Sequence, residues 1–425
     1  MMRHRKYWMV IVHTLEQLRN GELHGITRLK ISADLSQFPR EIFDLAESLE
    51  VLDLSNNQLN ELPQDLARLH NLKILFCSNN SFTSLPSMLA ECPSLEMIGF
   101  KSNQISEVPA SSLPDQTRWL ILTDNKITEL PEKLGKLKRL EKLALAGNKL
   151  SQLPQSLHQC HELGLIRLSA NQLTEFPNVL LDLPKLAWLA FSGNPFCQAS
   201  KASNQIQQLD AELFNIKEVL GQGASGIISR ATTNSAGLPE EVAIKVFKGS
   251  ITSDGYPEDE LDACLSTGIH PNLVAPIAQI KEENSSALVM SLIPAHYKNL
   301  GQPPSLSSCT RDTFTQNQSF SIKEISYIVQ QMESLVQHFA EKHVSHGDLY
   351  AHNVLFDEQA HILFGDFGAA SKYKNLEGYQ QAGIQAIEKR AFNYFVEDML
   401  SLCIEEDKHS PDYLALVNSI QAEPR

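Results

Sequence analysis

The sequence predicts an α/β solenoid of short repeats followed by a second, non-repeating α+β domain. Asparagines recur at a regular interval in the first half of the chain. After residue 198, glycine-rich and strand-like segments replace this repeat. The excess of acidic over basic side chains also lies in the second half. Residues 1–200 hold 20 basic and 21 acidic side chains, whereas residues 201–425 hold 16 and 29, within a net charge of −14. The length suits two or three hydrophobic cores, and the acidic balance argues against a nucleic-acid-binding surface.

The repeat is marked by asparagines spaced 22 or 23 residues apart, namely Asn57, Asn80, Asn103, Asn125, Asn148, Asn171 and Asn194. Each lies in the frame L-x-x-L-x-L-x-x-N-x-L, where the alternating leucines predict a short strand with its apolar side chains inward. We expect the asparagine amides to satisfy backbone groups at a buried bend. Because one unit is too small to bury its own apolar face, the units must stack into a curved solenoid.

This pattern resembles the leucine-rich repeat family. The resemblance implies that residues 25–197 form the solenoid and that residues 1–24 contain an N-terminal segment with a helical cap. It also implies that the outward surface of the repeats binds a protein partner or substrate.

The second half opens with a strand-like segment that leads into G-x-G-x-x-G, at Gly221, Gly223 and Gly226. A dinucleotide-binding unit would continue as a helix, but residues 227–231 have the composition of a strand. The next predicted strand, residues 242–247, carries the motif V-A-I-K, whose lysine is Lys245. This hairpin is typical of a glycine-rich lid over phosphates, with a lysine placed to reach them.

Two further motifs follow, H-G-D-x-x-x-x-N at residues 346–353 and D-F-G at residues 366–368. With them the chain resembles the protein-kinase family over residues 213–425, after a linker at 198–212. The predicted fold is therefore an α/β leucine-rich-repeat solenoid followed by an α+β two-lobed protein-kinase-like domain. Within the family, this combination is most similar to bacterial repeat–kinase fusions.

The resemblance implies a role for each motif residue. Asp348 would orient and deprotonate the acceptor hydroxyl, while Asn353 and Asp366 would bind Mg²⁺ that bridges the phosphates of ATP. Lys245 would neutralise phosphate charge and needs a carboxylate to hold it, for which Glu260 has the best spacing and Glu258 is the runner-up. The expected ATP-binding residues are Leu220, Gly221, Gly223, Gly226, Ile228, Ala243, Lys245, Met290 and Leu355.

Four departures from the kinase pattern leave the acceptor open. Gly347 replaces the usual arginine before the aspartate, and Tyr350 stands where serine/threonine kinases place a lysine. The segment around Glu388, where an aspartate is usual, follows too soon for a full activation loop, and few residues remain beyond Phe392. The favoured interpretation is a Ser/Thr protein kinase, and the alternatives are a small-molecule phosphotransferase, which the H-G-D form also resembles, or an ATP-binding scaffold.

Cysteines and apolar segments suggest the compartment. The seven cysteines are odd in number and form no C-x-x-C motif, so we expect neither a disulfide framework nor a zinc site. No run of 18 apolar residues is present, which predicts no membrane span. The expected location is the cytoplasm.

Overall fold

The computed structural model describes residues 12–197, 207–222, 226–247, 252, 254–281 and 286–421. The chain divides between Leu163 and Gly164 into two compact units.

The first unit begins with helix α1 (Leu15–Arg19), for which Thr14 and Gln17 form a capping box. Six parallel strands follow, each paired with the next in chain order: β1 (Arg28–Lys30), β2 (Val51–Asp53), β3 (Ile74–Phe76), β4 (Met97–Gly99), β5 (Trp119–Ile121) and β6 (Lys142–Ala144). The middle residue of each strand is fully buried, for example Leu52 and Leu143. Short 3₁₀ helices connect most of the strands, as in a repeat solenoid.

The repeated asparagines satisfy the backbone at the bends that follow the strands. The Asn125 side chain donates to the carbonyl oxygens of Phe100 and Leu122 at 2.9 and 3.0 Å, and its oxygen accepts from the Ile105 amide at 2.9 Å. Three backbone groups that would otherwise be buried without partners are thereby paired. This explains why the asparagine recurs with the period of the repeat.

The second unit starts with two further repeat strands, β7 (Leu165–Arg167) and β8 (Trp188–Ala190), which pair in parallel. We call residues 164–197 the closing repeats. Their bend is built in the same way, because Asn194 donates to the carbonyl oxygens of Leu168 and Phe191.

A six-stranded sheet and one helix come next: β9 (Gln207–Leu209), β10 (Asn215–Gln222), β11 (Gly226–Thr232), β12 (Glu241–Phe247), α2 (Pro257–Thr267), β13 (Pro276–Lys281) and β14 (Ser286–Ser291). The strand order is β10-β11-β12-β14-β13-β9. Strand β9 lies inside the predicted linker 198–212 and pairs in parallel with β13. The linker residues before β9 lie outside the described part of the chain.

The remainder is mainly helical: β15 (Lys298–Asn299), α3 (Ile322–Glu341), β16 (Val344–Ser345), β17 (Val354–Phe356), β18 (Ile362–Phe364), β19 (Ser371–Lys372), α4 (Gly378–Ser401) and α5 (Pro411–Gln421). Helix α3 begins at a capping box of Ser321 and Glu324. Its apolar face joins α4 in a hydrophobic core that is separate from the core of the six-stranded sheet. The predicted fold class, a repeat solenoid followed by an α+β domain with a strand-rich and a helical part, is confirmed.

Candidate active site

Lys245 and Glu260 form a buried ion pair between β12 and α2. Both side chains are less than one tenth exposed, whereas Glu258, the other candidate carboxylate, is exposed. The Lys245 ammonium also lies 3.4 Å from Oδ1 of Asp366. Burial opposes the positive charge, but the carboxylates of Asp366 and Glu260 outweigh it and raise the pKa of Lys245. The lysine therefore remains a cation at this position.

Asp366 follows β18 in a left-handed backbone conformation, with φ of 60°. Desolvation disfavours its negative charge, but Lys245 more than compensates and lowers the pKa of the Asp366 carboxyl. The side chain is 55% exposed, so the ionised carboxylate is open to a ligand from solvent.

The H-G-D motif lies in a loop that we call the Asp348 loop, residues 346–353. The Asn353 amide donates to the carbonyl oxygen of Asp348 at 2.9 Å and to its Oδ2 at 3.0 Å. These two bonds use the amide nitrogen of Asn353 and leave its oxygen outside the pair. Asp348 and Asn353 are thus brought together within one loop.

Glu388 on α4 holds the backbone that precedes Asp348. Its carboxylate accepts from the Ser345 hydroxyl at 2.9 Å and from the amides of His346 and Gly347 at 3.1 and 2.9 Å. These three partners lie at the end of β16 and at the start of the Asp348 loop, so the helix fixes the direction in which the loop leaves the strand. A glutamate can therefore anchor this loop although an aspartate is usual.

His346 is fully buried beside the D-F-G motif. Its ring lies 4.3 Å from that of Phe364 and 5.2 Å from that of Phe367, and its Nε2 is 3.2 Å from the Gly365 carbonyl oxygen. Burial lowers the pKa of His346. A neutral, packed imidazole therefore joins the two loops that carry Asp348 and Asp366.

Those expected ATP-binding residues that the structure describes lie on the strands of the sheet and on β17. Ala243 of β12 is the Cα partner of Met290 of β14, and Gly221 is the partner of Ile228 across the glycine-rich hairpin. Leu220 is on β10, and Leu355 is on β17 in the helical part. Gly223 lies outside the described residues.

Of the two hairpin glycines that the structure describes, Gly226 is the one that packing requires, because an added Cβ would lie 2.5 Å from the Val246 carbonyl oxygen. At Gly221 an added Cβ would meet nothing within 4 Å. Gly226 therefore allows β11 to approach β12 closely.

Two residues of the closing repeats that the sequence does not single out contact the Asp348 loop through their side chains. The Arg167 guanidinium lies 2.6 Å from Oδ1 of Asp348. The Trp188 indole donates to the Leu349 carbonyl oxygen at 3.1 Å and stacks on Tyr350 with 4.6 Å between ring centroids. Both lie outside the predicted kinase domain, at repeat positions that alternation assigns to the outer surface, so no local signal identifies them.

A strand-rich part that carries Lys245 and a helical part that carries Asp348 and Asp366 meet at this site. That is the arrangement of the two-lobed kinase fold. Comparison with known proteins agrees: the protein kinase domain family model matches residues 214–385, and the leucine-rich repeat model matches residues 37–105 and 115–173. The chain joins leucine-rich repeats to a protein kinase domain.

Curated relatives that are named as kinases match this chain at low identity. The chain is 27% identical over 162 residues to serine/threonine-protein kinase pakH of Dictyostelium discoideum, covering 38% of this chain and 29% of that protein. It is 26% identical over 169 residues to NUAK family SNF1-like kinase 1 of Mus musculus, covering 38% and 23%. The chain therefore spans less than a third of the length of these relatives.

The chain is similar to a solved leucine-rich-repeat protein of Leptospira interrogans. The identity is 32%, the match covers 40% of this chain and 49% of that chain, and the TM-score is 0.33. Among the described residues, no helix combines the length and the apolar composition that a membrane crossing needs.

Proposed function

We propose that this chain is a protein kinase that transfers the γ-phosphate of ATP to a serine or threonine hydroxyl of a protein. The main support is the contact network of Lys245, which pairs with Glu260 and reaches Asp366. It brings the phosphate-binding lysine and the metal-binding aspartate of the kinase pattern to one place. The pakH relative is named as a serine/threonine-protein kinase, which supports the choice of serine or threonine.

The ATP site would use both parts of the domain. Lys245 would bind the phosphates beneath the glycine-rich hairpin, with its ammonium held in place by Glu260. Ile228 and Leu355 would enclose the adenine from either side, and Met290 would border the pocket beyond it. Because Lys245 is buried and charged, its contribution to phosphate binding would be screened little by solvent.

The residues expected to bind Mg²⁺ have suitable chemistry. Asp366 offers an ionised and exposed carboxylate, and Asn353 retains an amide oxygen outside its hydrogen bonds to Asp348. Among the described residues, no cluster of three or more His, Cys, Asp or Glu side chains forms a metal site alone. Magnesium commonly binds one or two protein oxygens together with substrate phosphates, which suits this pair. When bound, Mg²⁺ would neutralise charge on the transferring phosphate.

Asp348 would accept the proton of the attacking hydroxyl. Its side chain is 24% exposed, and hydrogen bonds from Arg167 and Asn353 fix the orientation of the carboxylate. An acceptor hydroxyl can therefore approach a base whose geometry is already set.

The repeats would recruit the protein substrate or another partner, as leucine-rich repeats generally do. We propose domain limits of 25–197 for the repeats and 213–425 for the kinase domain, with a cap within 1–24 and a connecting segment at 198–212. The seven cysteines are unpaired, which supports a reducing compartment such as the cytoplasm.

A second candidate, a small-molecule phosphotransferase, is favoured by the position of Tyr350. This residue stands where a serine/threonine kinase has a lysine, but its ring is buried against Trp188. The site therefore lacks an exposed side chain at one position that could meet a peptide. Phosphate transfer to added metabolites, with no labelling of protein, would favour this candidate.

The experiment is transfer from labelled ATP in the presence of Mg²⁺. Wild type should label protein, and Asp348→Ala and Lys245→Ala should not. Glu258→Gln is the matched control, because Glu258 lies in the same helical turn as Glu260 but is exposed. Equal labelling by wild type and Asp348→Ala would contradict the proposed function.

A further inference from the structure

Arg167 of β7 binds both the aspartate of the Asp348 loop and a second carboxylate. Its Nη2 lies 2.6 Å from Oδ1 of Asp348, and its Nε lies 2.7 Å from Oδ1 of Asp254. Its Nη1 donates to the Gly347 carbonyl oxygen at 3.0 Å. Three nitrogens of the guanidinium are therefore directed at the loop and at the segment just before α2.

The contact is part of a packed interior. Arg167 is only 5% exposed, and Leu165, Ala187 and Trp188 of the closing repeats belong to the same hydrophobic core as α3 and α4. Burial opposes the charge of Arg167, but Asp348 and Asp254 outweigh it and raise its pKa. Removal of this guanidinium would leave the carboxylates of Asp348 and Asp254 without the counterion that they share, so Arg167 is a fixed feature of the interior.

The closing repeats also contact the residues on either side of Asp348. An added Cβ at Gly347 would lie 2.5 Å from the Leu189 carbonyl oxygen, and Trp188 binds Leu349 and stacks on Tyr350. Four consecutive loop residues, 347–350, thus touch the repeats. The loop 346–353 contains no lysine or arginine of its own.

We propose that Arg167 is a positioning residue for Asp348, so that the closing repeats complete the active site. The inference rests on the proposed kinase function. Arg167 binds Oδ1 and Asn353 binds Oδ2, which together prevent the carboxylate from rotating. The acceptor hydroxyl then meets a base in one orientation, supplied by a part of the chain outside the kinase motifs.

Arg167 also links the Asp348 loop to the segment that leads into α2. Asp254 lies just before α2, the helix that presents Glu260 to Lys245. A glycine beside it, Gly255, packs on Ser169 of the closing repeats, where an added Cβ would come within 2.7 Å. The same arginine therefore joins the Asp348 loop to the segment that leads into α2.

The test compares Arg167→Gln, Arg167→Lys and Arg311→Gln in the full chain. Arg311 is the matched control, because it binds Glu397 and Asp398 in the same unit and does not contact Asp348. We expect Arg167→Gln to lower kcat on the order of 100-fold with little change in the KM for ATP, since a misplaced catalytic group costs about that much. Arg167→Lys should recover part of the rate, because lysine restores the charge but not the planar fork. Arg311→Gln should retain the wild-type kcat even if it melts earlier.

An unchanged kcat in Arg167→Gln would overturn the proposal. A higher kcat would overturn it too, since the arginine would then be blocking the acceptor. If Arg167→Gln does not fold, Arg167→Lys takes its place in the comparison. A wild-type kcat in Arg167→Lys would show that the planar fork of Arg167 is not needed to position Asp348, and it would overturn the proposal.

A second measurement separates this proposal from the proposed function. A double-mutant cycle of Arg167→Gln and Asp348→Asn in urea unfolding reports their coupling without any turnover. If the wild type transfers no phosphate, the proposed function fails, but the cycle still tests whether Arg167 positions Asp348. Additive effects would overturn the positioning role, and a clear coupling would support it.

Discussion

Gly347 of the Asp348 loop packs directly against the backbone of Leu189 in the closing repeats. An added Cβ at Gly347 would lie 2.5 Å from the Leu189 carbonyl oxygen and 2.7 Å from the Ala369 carbonyl oxygen, and the residue has φ of +69°. Both the space and the backbone conformation therefore require glycine at this position. The arginine that kinases usually carry there has no room in this chain.

Gly347→Ala should therefore destabilise the protein and reduce transfer. We expect a loss of about 2–4 kcal/mol in the free energy of unfolding, combining overpacking and left-handed strain. Gly237→Ala is the control, because Gly237 has φ of +88° but nothing within 4 Å of an added Cβ. Urea unfolding of both variants separates the two contributions, and equal losses would show that contact with Leu189 does not matter.

The buried pair of Lys245 and Glu260 should be needed for both stability and transfer. Glu260→Ala removes a carboxylate that is 5% exposed and leaves Lys245 with Asp366 alone. Breaking a buried pair costs about 3–5 kcal/mol, and we expect a loss near the lower end because Asp366 remains. The measurements are chemical denaturation and labelled-ATP transfer. If Glu258→Ala were as damaging as Glu260→Ala, the assignment of the pair would be wrong.

Trp188 should stabilise the Asp348 loop through both its ring and its indole nitrogen. Its ring stacks against Tyr350 and Tyr394, at 4.6 and 5.4 Å between centroids, and the indole donates to the Leu349 carbonyl oxygen. Trp188→Ala should cost about 3–5 kcal/mol, as large-to-small changes in a core do. Trp188→Phe should cost less, because it keeps an aromatic ring and loses the hydrogen bond. A mild effect of Trp188→Ala in thermal unfolding would contradict this packing account.

His352 and Asp312 should make stability depend on pH. Burial disfavours a charged imidazole, but the hydrogen bond and charge of Asp312, 2.6 Å away, raise the pKa of His352 above its ordinary value of about 6.5. Because the pKa of His352 is raised in the folded state, its stabilisation of the fold is fully present below the unfolded-state pKa of about 6.5. The stabilisation is lost as pH rises through the folded-state pKa.

The stability gap between wild type and His352→Gln should accordingly be wider at about pH 6 than at about pH 9. Urea unfolding at the two pH values measures it, and NMR titration of the His352 ring gives the pKa itself. A gap that does not change with pH would show that the charged imidazole contributes nothing.

The sequence predicts much of this architecture because the relevant signals are local. The spacing of the asparagines follows from bends whose carbonyl groups need a side-chain donor, as at Asn125. The placement of Lys245 follows from a strand that succeeds a glycine-rich hairpin. The choice between Glu260 and Glu258 needed the structure, since the two differ in which face of α2 they occupy.

Other features could not be predicted because they depend on distant parts of the chain. Arg167 and Asp348 are 181 residues apart and belong to different sequence patterns. Helix α4 already begins at Gly378, where a capping box formed by Glu377 and Gln380 extends it well before the segment around Glu388. Tertiary packing thus decides which outward-facing repeat residues become part of the candidate site.

The most direct test of the account is labelled-ATP transfer by the full chain with Mg²⁺, comparing wild type, Asp348→Ala and Glu258→Gln, followed by identification of the labelled residue. We predict phosphoserine or phosphothreonine on protein with wild type and with Glu258→Gln, and none with Asp348→Ala. Labelling that persists in Asp348→Ala, or its absence from wild type, would contradict the claim that this chain is a protein kinase that uses Asp348.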